Sequence, residues 1–333
     1  LERKIMELII ANSKKEKKDF LNFYISQYHN HELRRDSLSG LLKGILFEQS
    51  VMSKSIEIVP LIVKNNDEIV MCCLLAKASR MQEYLQMSFF ESKEYCIEGF
   101  NLVYNKAEEI SKKWQTKFIC ASLNIHVNYG LGYLKDSYSK PQSFGMAHNE
   151  AFIHDYFESY SFRSIDMVTF HKNMEADFTL ISDKLKQKLK SKYSVRHADF
   201  KNMEREAKIY TRINNDAFRN HPFYYKRVEE EDLELFKDFK MLLRPENLLF
   251  VLKNNIEVGF MLWYPDFHQL MSSKETVGLK TVINNKLFNH KIDKFKIVEM
   301  GIIEEEQKKG AILALFDYCF TLTKGRYKSF ESG

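Results

Sequence analysis

Apolar and polar residues alternate along the first half of the chain in a series of strand-like and helix-like segments. The segment at 15–30 has the apolar spacing of an amphipathic helix, KEKKDFLNFYISQYHN. A hairpin is predicted over SIEIVPLIVKNNDEIVMCCLLAKA, because β-branched residues flank the turn-forming Asn65, Asn66 and Asp67. The other predicted elements are a strand over 2–12, the strand YLQMSFFES, the helix FNLVYNKAEEISKKWQ, the strand KFICASL, the helix NEAFIHDYFESY and the strand SIDMVTFHKN.

The second half of the chain repeats this order. Its predicted elements are the strand YSVRHADF, the helices KNMEREAKIYTRINNDAF and EEEDLELFKDFKMLL, the hairpin NLLFVLKNNIEVGFMLWYPD, the strand FKIVEMGII and the helix AILALFDYCFTLTKGRY. The two series indicate an internal structural repeat of roughly 165 residues, visible in element order rather than in identity. The boundary is expected in the charged stretch HKNMEADFTLISDKLKQKLKSKYS, which is itself a candidate linking helix.

Composition supports two folded modules and narrows the function. The 333 residues are 44% hydrophobic and 14% aromatic, which is enough to fill sizeable cores. A net charge of +5 permits an anionic ligand but does not indicate nucleic-acid binding, which needs basic residues clustered on one face. No apolar run approaches the roughly 18 residues of a membrane span, and we expect no signal peptide. The five cysteines show no CxxC spacing, so we expect reduced thiols, a cytoplasmic location and no metal site.

The loop between the last predicted strand and helix, EEEQKKG, combines acidic, basic and glycine residues. Backbone N–H groups at a helix N-terminus bind anions, and glycine lets the backbone approach a ligand closely. Lys308 and Lys309 would add point-charge attraction for phosphate. The alternative is an ordinary solvated turn whose Glu304, Glu305 and Glu306 face water. The loop by itself leaves both interpretations open.

The pattern around this loop resembles the GNAT (GCN5-related N-acetyltransferase) superfamily. In that fold a [QR]-x-x-G-[GA] loop after the fourth strand holds the pyrophosphate of an acyl-CoA, and Gln307, Gly310 and Ala311 match it. From about Ile56 onward the chain also resembles a bacterial family of tandem GNAT-like proteins. The matching segments are SFFES, GLGYLKDSYSKPQSFGMAHNEAFIHDYFESYSF, INNDAFRNH and GFMLWYPDFHQ.

This resemblance implies two tandem α/β modules, each a mostly antiparallel, twisted sheet flanked by helices. We expect modules at 1–172 and 193–333, joined by a linker at 173–192. The N-terminal loop ESKEYCIEG lacks the pyrophosphate pattern, and Glu91, Glu94 and Glu98 are acidic. The N-terminal module is therefore expected to be structural and to shape the acceptor pocket. The C-terminal module is expected to stop after the helix that follows its loop, without a fifth strand.

The resemblance also implies an acyl-CoA site and a general base in the C-terminal module. Glu299, inside the strand IVEMGII, is the candidate base, and burial would raise its pKa. Its alternative role is a residue on the solvent face of an alternating strand. The residues expected to bind acyl-CoA are Gly301, Ile302, Ile303, Gln307, Lys308, Lys309, Gly310, Ala311 and Ile312.

Two further groups are candidates for the acceptor side of the site. Asp266 and His268 form an Asp-x-His pair that could poise a base or orient an amine, or else simply end the strand and cap the next turn. Asn215, Phe218 and Gln269 are expected to bind the acceptor. Core or capping roles are equally open for Asn215 and Phe218.

The sequence thus predicts an acyl-CoA-dependent N-acyltransferase. It would transfer an acetyl or longer acyl group to an unidentified small-molecule or lipid amine. Direct transfer in a ternary complex is expected, because the sequence shows no nucleophile–base set and no G-x-S-x-G motif. The alternatives are a non-catalytic acyl-CoA-binding sensor or scaffold, and a transferase that uses aminoacyl or acyl-carrier donors. Acceptor, acyl length and oligomeric state stay open.

Overall fold

The computed structural model describes residues 6–174 and 181–333 and divides the chain into two compact units. Unit 1 comprises Leu1–Asp166 with Met271–Val277, and unit 2 comprises Met167–Leu270 with Gly278–Gly333. This boundary lies before the expected one at 172, because the strand at Phe170–Asn173 pairs within the sheet of unit 2. No helix within the described ranges is long and apolar enough to cross a membrane.

Unit 1 contains a five-stranded sheet with the order β1-β2-β3-β4-β5, antiparallel except for the β4–β5 pair. Its strands are β1 (Met6–Ile10), β2 (Ile56–Asn65), β3 (Glu68–Ala78), β4 (Tyr84–Ser92) and β5 (Phe118–Ala121). Its helices are α1 (Lys14–His29), α2 (Ser39–Leu46), α3 (Ile97–Trp114) and α4 (Ile153–Ser159). The strand predicted over 2–12 is present as β1, and residues 2–5 lie outside the described ranges.

Unit 2 contains a six-stranded sheet with the order β6-β11-β10-β9-β8-β7. Its strands are β6 (Phe170–Asn173), β7 (Ser194–His197), β8 (Leu248–Lys253), β9 (Ile256–Pro265), β10 (Lys294–Ile302) and β11 (Ser329–Ser332). Its helices are α5 (Asp183–Lys192), α6 (Met203–Ala217), α7 (Glu229–Phe239), α8 (Leu279–Phe288) and α9 (Ala311–Thr323). Two mixed sheets flanked by helices confirm the predicted fold class.

The last strand corrects the expectation that unit 2 stops after helix α9. Strand β11 pairs in parallel with the first half of β10, from Lys294 to Ile297, and β6 pairs antiparallel with its other edge. The expectation was wrong because SFES is too short to show apolar alternation, so only its long-range partners define it as a strand. The linking helix expected near the boundary corresponds to α5.

Each unit has its own aromatic core. In unit 1, Phe100 of α3 and Tyr156 of α4 stack with ring centroids 4.7 Å apart. In unit 2, Tyr210 of α6 packs on Phe260 of β9 at 4.6 Å, which fixes α6 against the centre of the sheet. The five cysteines are free and buried.

Candidate active site in unit 2

The site is organised by an irregularity in β10. The pairing of β10 with β9 shifts register between Ile297 and Glu299, a β-bulge that re-aims the side chains that follow it. Beyond the bulge, Gly301 lies directly under α6. A Cβ atom there would lie 2.8 Å from the Phe260 ring and 3.0 Å from Ala217 Cβ. Glycine at 301 therefore lets the end of α6 lie against the strand.

The Glu299 carboxylate is held by two side chains of α6. The Tyr210 hydroxyl donates to Oε2, and Asn214 Nδ2 donates to Oε1 at 2.6 Å. Tyr210 and Asn214 are four residues apart and thus lie on one helix face. Burial raises the pKa of Glu299 to about 7, against the two hydrogen bonds, which lower it. A carboxylate poised near neutrality favours the general-base interpretation over a solvent-facing strand residue.

A second buried network supports α6 from behind. Thr211 Oγ1 donates to Asp232 Oδ2 at 2.6 Å, and Arg227 Nε donates to Asp232 Oδ1 at 2.6 Å. The side chains of Arg227 and Asp232 have no exposed surface. Asn215 belongs to the same support, since its Oδ1 accepts the Arg227 N–H at 2.9 Å and its Nδ2 donates to the Arg227 carbonyl at 3.0 Å. Its amide is therefore used to hold the segment after α6.

On the loop side of β10 lies a cleft of about 250 Å³. Its lining residues are Ala217, Phe218, Met300, Gly301, Ile302, Glu306, Gln307, Lys308, Gly310, Ala311 and Ile312. Seven of the nine acyl-CoA candidates from the sequence therefore line this cleft. Phe218 joins them from the end of α6.

The N-terminus of helix α9 opens into this cleft. Gly310 immediately precedes the helix with φ +100, and a Cβ there would approach Leu189 Cδ2 to 2.9 Å. The position gives α9 no side-chain cap. The amides of Ala311 and Ile312, the first two helical residues, have no carbonyl to bond within the helix, so they can bind an anion.

The loop before α9 is anchored by Glu306. Its Oε1 accepts from Lys253 Nζ at 2.6 Å and its Oε2 accepts from the Tyr193 hydroxyl at 3.1 Å. The hydrogen bond from Lys253 is the main cause that lowers the pKa of Glu306. The expectation that this residue faces solvent was wrong, because Glu306 is buried and paired with a lysine on β8. Its negative charge is thus balanced, which makes the loop compatible with an anion.

Two loop candidates have mainly structural contacts. Ile303 donates its N–H to the Val258 carbonyl at 3.0 Å and packs against the apolar core. The Lys309 carbonyl accepts from Lys192 Nζ at 3.2 Å and lies 3.2 Å from the Tyr193 hydroxyl, whose single proton it shares with Glu306. The Gln307 side chain donates to the Ile302 carbonyl at 3.1 Å, which ties the loop to the end of β10.

Comparison with solved structures identifies the fold. A tandem GNAT protein from the clavulanic acid biosynthesis pathway matches with a TM-score of 0.50 at 10% identity, covering 98% of this chain and 89% of its own. A probable N-acyltransferase from Enterococcus faecalis V583 matches with a TM-score of 0.55 at 10% identity, covering 99% of this chain and 65% of its own. The protein has a tandem GNAT fold.

A third match places the same fold inside a larger protein. The GCN5-related glucosamine N-acetyltransferase region of a fungal multi-domain GH3 β-N-acetylglucosaminidase matches with a TM-score of 0.54 at 10% identity. The match covers 99% of this chain and 35% of the fungal chain. No family model matches the sequence, and no curated protein matches it by sequence.

Asp266, His268 and Gln269 lie at the other end of the β9–β10 pair in this GNAT module. Asp266 Oδ2 pairs with Lys294 Nζ at 3.1 Å, and its Oδ1 accepts the His268 N–H at 3.3 Å. Gln269 Nε2 donates to Asp293 Oδ1 at 2.8 Å. Five strand positions, roughly 16 Å, separate Lys294 from Glu299. The structure does not bring these three candidates to the cleft, so we leave them out of the proposed site.

The first GNAT module lacks the corresponding loop. Four residues, 93–96, connect β4 to α3, whereas eight residues, 303–310, connect β10 to α9. The Tyr156 hydroxyl accepts the Cys96 N–H at 2.7 Å and donates to the Glu94 carbonyl at 3.0 Å. A side chain of unit 1 itself thus satisfies an amide at the start of α3.

In the first module, the backbone and side chains of β4 also form hydrogen bonds with the segment at 123–124. Asn124 Oδ1 accepts the Phe89 N–H at 2.8 Å, and Ser88 Oγ donates to the Leu123 carbonyl at 2.6 Å. Glu91, one of three acids expected to repel a pyrophosphate, is instead buried and paired with Arg34 at 2.5 Å. The short, closed loop, rather than charge repulsion, is therefore the observation that distinguishes this module from the second.

Proposed function

We propose that the protein is an acyl-CoA-dependent N-acyltransferase whose second GNAT module carries the reaction. The observation that supports this best is the arrangement along β10. One strand presents a carboxylate with a pKa of about 7, and the eight-residue loop after it leads to a helix N-terminus that can bind an anion. A site for amine acylation needs both features, a base for the acceptor and a holder for the donor's phosphates.

The residues of the cleft fit the donor. The free amides of Ala311 and Ile312 and the positive end of the α9 dipole would hold the pyrophosphate, with Lys308 adding charge. Glycine at 310 leaves the backbone accessible at a φ that other residues rarely adopt. Met300, Gly301 and Ile302 would line the path of the pantetheine arm. Acyl-CoA supplies the acyl group as a thioester, which an uncharged amine attacks.

Glu299 is the group that would provide the uncharged amine. At neutral pH a carboxyl with a pKa of about 7 is partly ionised, so it can take a proton from an acceptor ammonium directly or through a water molecule. Tyr210 and Asn214 hold the two carboxylate oxygens, which fixes the direction of proton transfer. Phe218 is the candidate apolar contact for the acceptor, because it lines the cleft beside Gly301.

The proposed reaction can be tested by release of free thiol from acetyl-CoA and longer acyl-CoAs across a panel of small and lipid amines. We expect amine-dependent thiol release by the wild type and a loss of about 10²- to 10⁴-fold in kcat/KM for Glu299→Gln. Binding of acyl-CoA without release for any amine would instead support a sensor or scaffold. Equal rates for wild type and Glu299→Gln would remove Glu299 from the mechanism.

A further inference from the structure

Helix α8 of unit 2 buries two polar side chains beside Val282 and exposes most of its large apolar side chains. Thr281 and Asn285 face the interior, with exposed fractions of 0% and 6%. Asn285 Nδ2 donates to the Leu242 carbonyl at 3.2 Å, which fixes this inner face. A helix on the surface of a globular protein normally has the opposite arrangement. Its outward face therefore needs an explanation that folding of unit 2 does not provide.

The outward face of α8 is a continuous apolar stripe. Leu279 is 75% exposed, Ile283 47% and Leu287 61%, and their spacing of four residues places them on one side of the helix. Phe288 extends the stripe with 39% exposure. Single exposed apolar residues are common, but a contiguous set marks an interaction surface.

The charged side chains of the helix segment itself are all basic. The segment 278–291, GLKTVINNKLFNHK, contains no aspartate or glutamate. Lys280, Lys286 and Lys291 are exposed beside the apolar residues, and Lys291 Nζ lies 4.7 Å from the centroid of the Phe288 ring. A partner must therefore offer apolar volume and negative charge together.

We infer that helix α8 docks the protein on the surface of an anionic lipid bilayer. A helix with an apolar stripe bordered by lysines lies in the membrane interface, its apolar side chains among the acyl chains and its lysines at the lipid phosphates. The contact would be peripheral and reversible, since α8 has only ten residues. It is independent of the proposed acyl transfer.

Vesicle sedimentation with the whole chain tests this inference. We expect binding to phosphatidylcholine vesicles that contain phosphatidylglycerol, little binding to phosphatidylcholine alone, and weakening as salt is added. The double variant Leu279→Glu/Leu287→Glu should bind at least about tenfold more weakly, because two apolar anchors are lost and two negative charges are added. Ile256→Glu is the matched control, at a 62% exposed position on the β8–β9 hairpin, and should bind like the wild type.

Three results would overturn the inference. They are no binding to vesicles with phosphatidylglycerol, equal loss in the α8 and control variants, and a wild-type dimer that the α8 variant abolishes while vesicle binding is absent. The last result would assign the stripe to a second copy of the chain. Thermal unfolding of each variant shows that the fold is retained, which is expected for exposed positions.

Discussion

Asn214 donates from Nδ2 to Oε1 of Glu299 at 2.6 Å, while its own Oδ1 is buried and accepts no hydrogen bond from the described part of the chain. The amide can therefore serve both states of the carboxyl. It donates to the ionised form, and after a flip of the amide its Oδ1 can accept from the protonated form. Such a partner suits a group that gains and loses a proton in each turnover.

Replacing Asn214 should change the pH dependence of the reaction. In Asn214→Leu the ionised carboxylate loses one donor, so the pKa of Glu299 should rise by about one unit. The rising limb of the kcat/KM profile should then move to higher pH, with most of the activity recovered at high pH. An unshifted limb with uniformly lower activity would mean that Asn214 is merely structural.

Glu299 should also make the stability of unit 2 depend on pH. Its folded pKa of about 7 is above the ordinary 4.5, so the folded state binds the proton more tightly between these values. Stability is therefore fully present below pH 4.5 and falls as pH rises toward 7, by up to roughly 3 kcal/mol. Glu299→Gln should lack this component and exceed the wild type in stability at pH 8.

Trp263 offers a probe for that measurement, since it is buried in β9 of unit 2. In a Trp114→Phe background, which removes the other tryptophan, its fluorescence follows urea unfolding of unit 2 alone. If the stability of unit 2 depends on pH in the same way in the wild type and in Glu299→Gln, Glu299 has an ordinary pKa.

Gly301→Ala should disturb both stability and activity. Its Cβ would press on Phe260 and Ala217, which pushes α6 away from β10. We expect a loss of about 1–3 kcal/mol by urea unfolding and a lower kcat/KM. Gly40→Ala is the control, because no atom lies within 4 Å of the added Cβ and alanine favours the helix. A Gly301→Ala protein as stable and active as the wild type would contradict the close packing of α6.

Tyr156→Phe tests the closed loop of unit 1. The buried Cys96 amide loses its acceptor, so unit 1 should be destabilised by about 1–3 kcal/mol. Hydrogen exchange of a peptide spanning 93–99 should become faster, while the affinity for acyl-CoA stays unchanged. A weaker acyl-CoA affinity in this variant would indicate that unit 1 binds the donor, which contradicts the proposed site in unit 2.

The elements that sequence patterns predicted well are those with local signals. Both Asn-rich hairpin turns are confirmed, and Asn66 and Asn254 have positive φ values of 54 and 50, which asparagine tolerates. Helix α8 was missed although Leu279, Ile283 and Leu287 have helical spacing, because the lysines and asparagines between them make the segment read as a polar insertion. Strands β6 and β11 are four residues each, and only pairing with distant segments reveals their place in the sheet.

The site residues also fall into those with a local sequence signal and those that depend on distant partners. The loop from 307 to 312 was visible in the sequence because a helix N-terminus with glycine is a local feature. The role of Tyr210 was not visible in the sequence, because it depends on how α6 lies against β10. Its spacing of four residues from Asn214 does indicate that the two side chains share a helix face. Glu306 was misjudged because its partner Lys253 is 53 residues away in sequence.

Calorimetric titration of acetyl-CoA into the wild type, Gly310→Asn and Gly310→Asp tests whether the N-terminus of α9 holds the phosphates of the donor. Asparagine and aspartate have the same shape and both tolerate positive φ, so the pair isolates the effect of a negative charge at the start of α9. We expect micromolar binding by the wild type and an affinity at least about tenfold lower for Gly310→Asp than for Gly310→Asn. Absence of binding by the wild type, or equal affinities of the two variants, would contradict this role of α9.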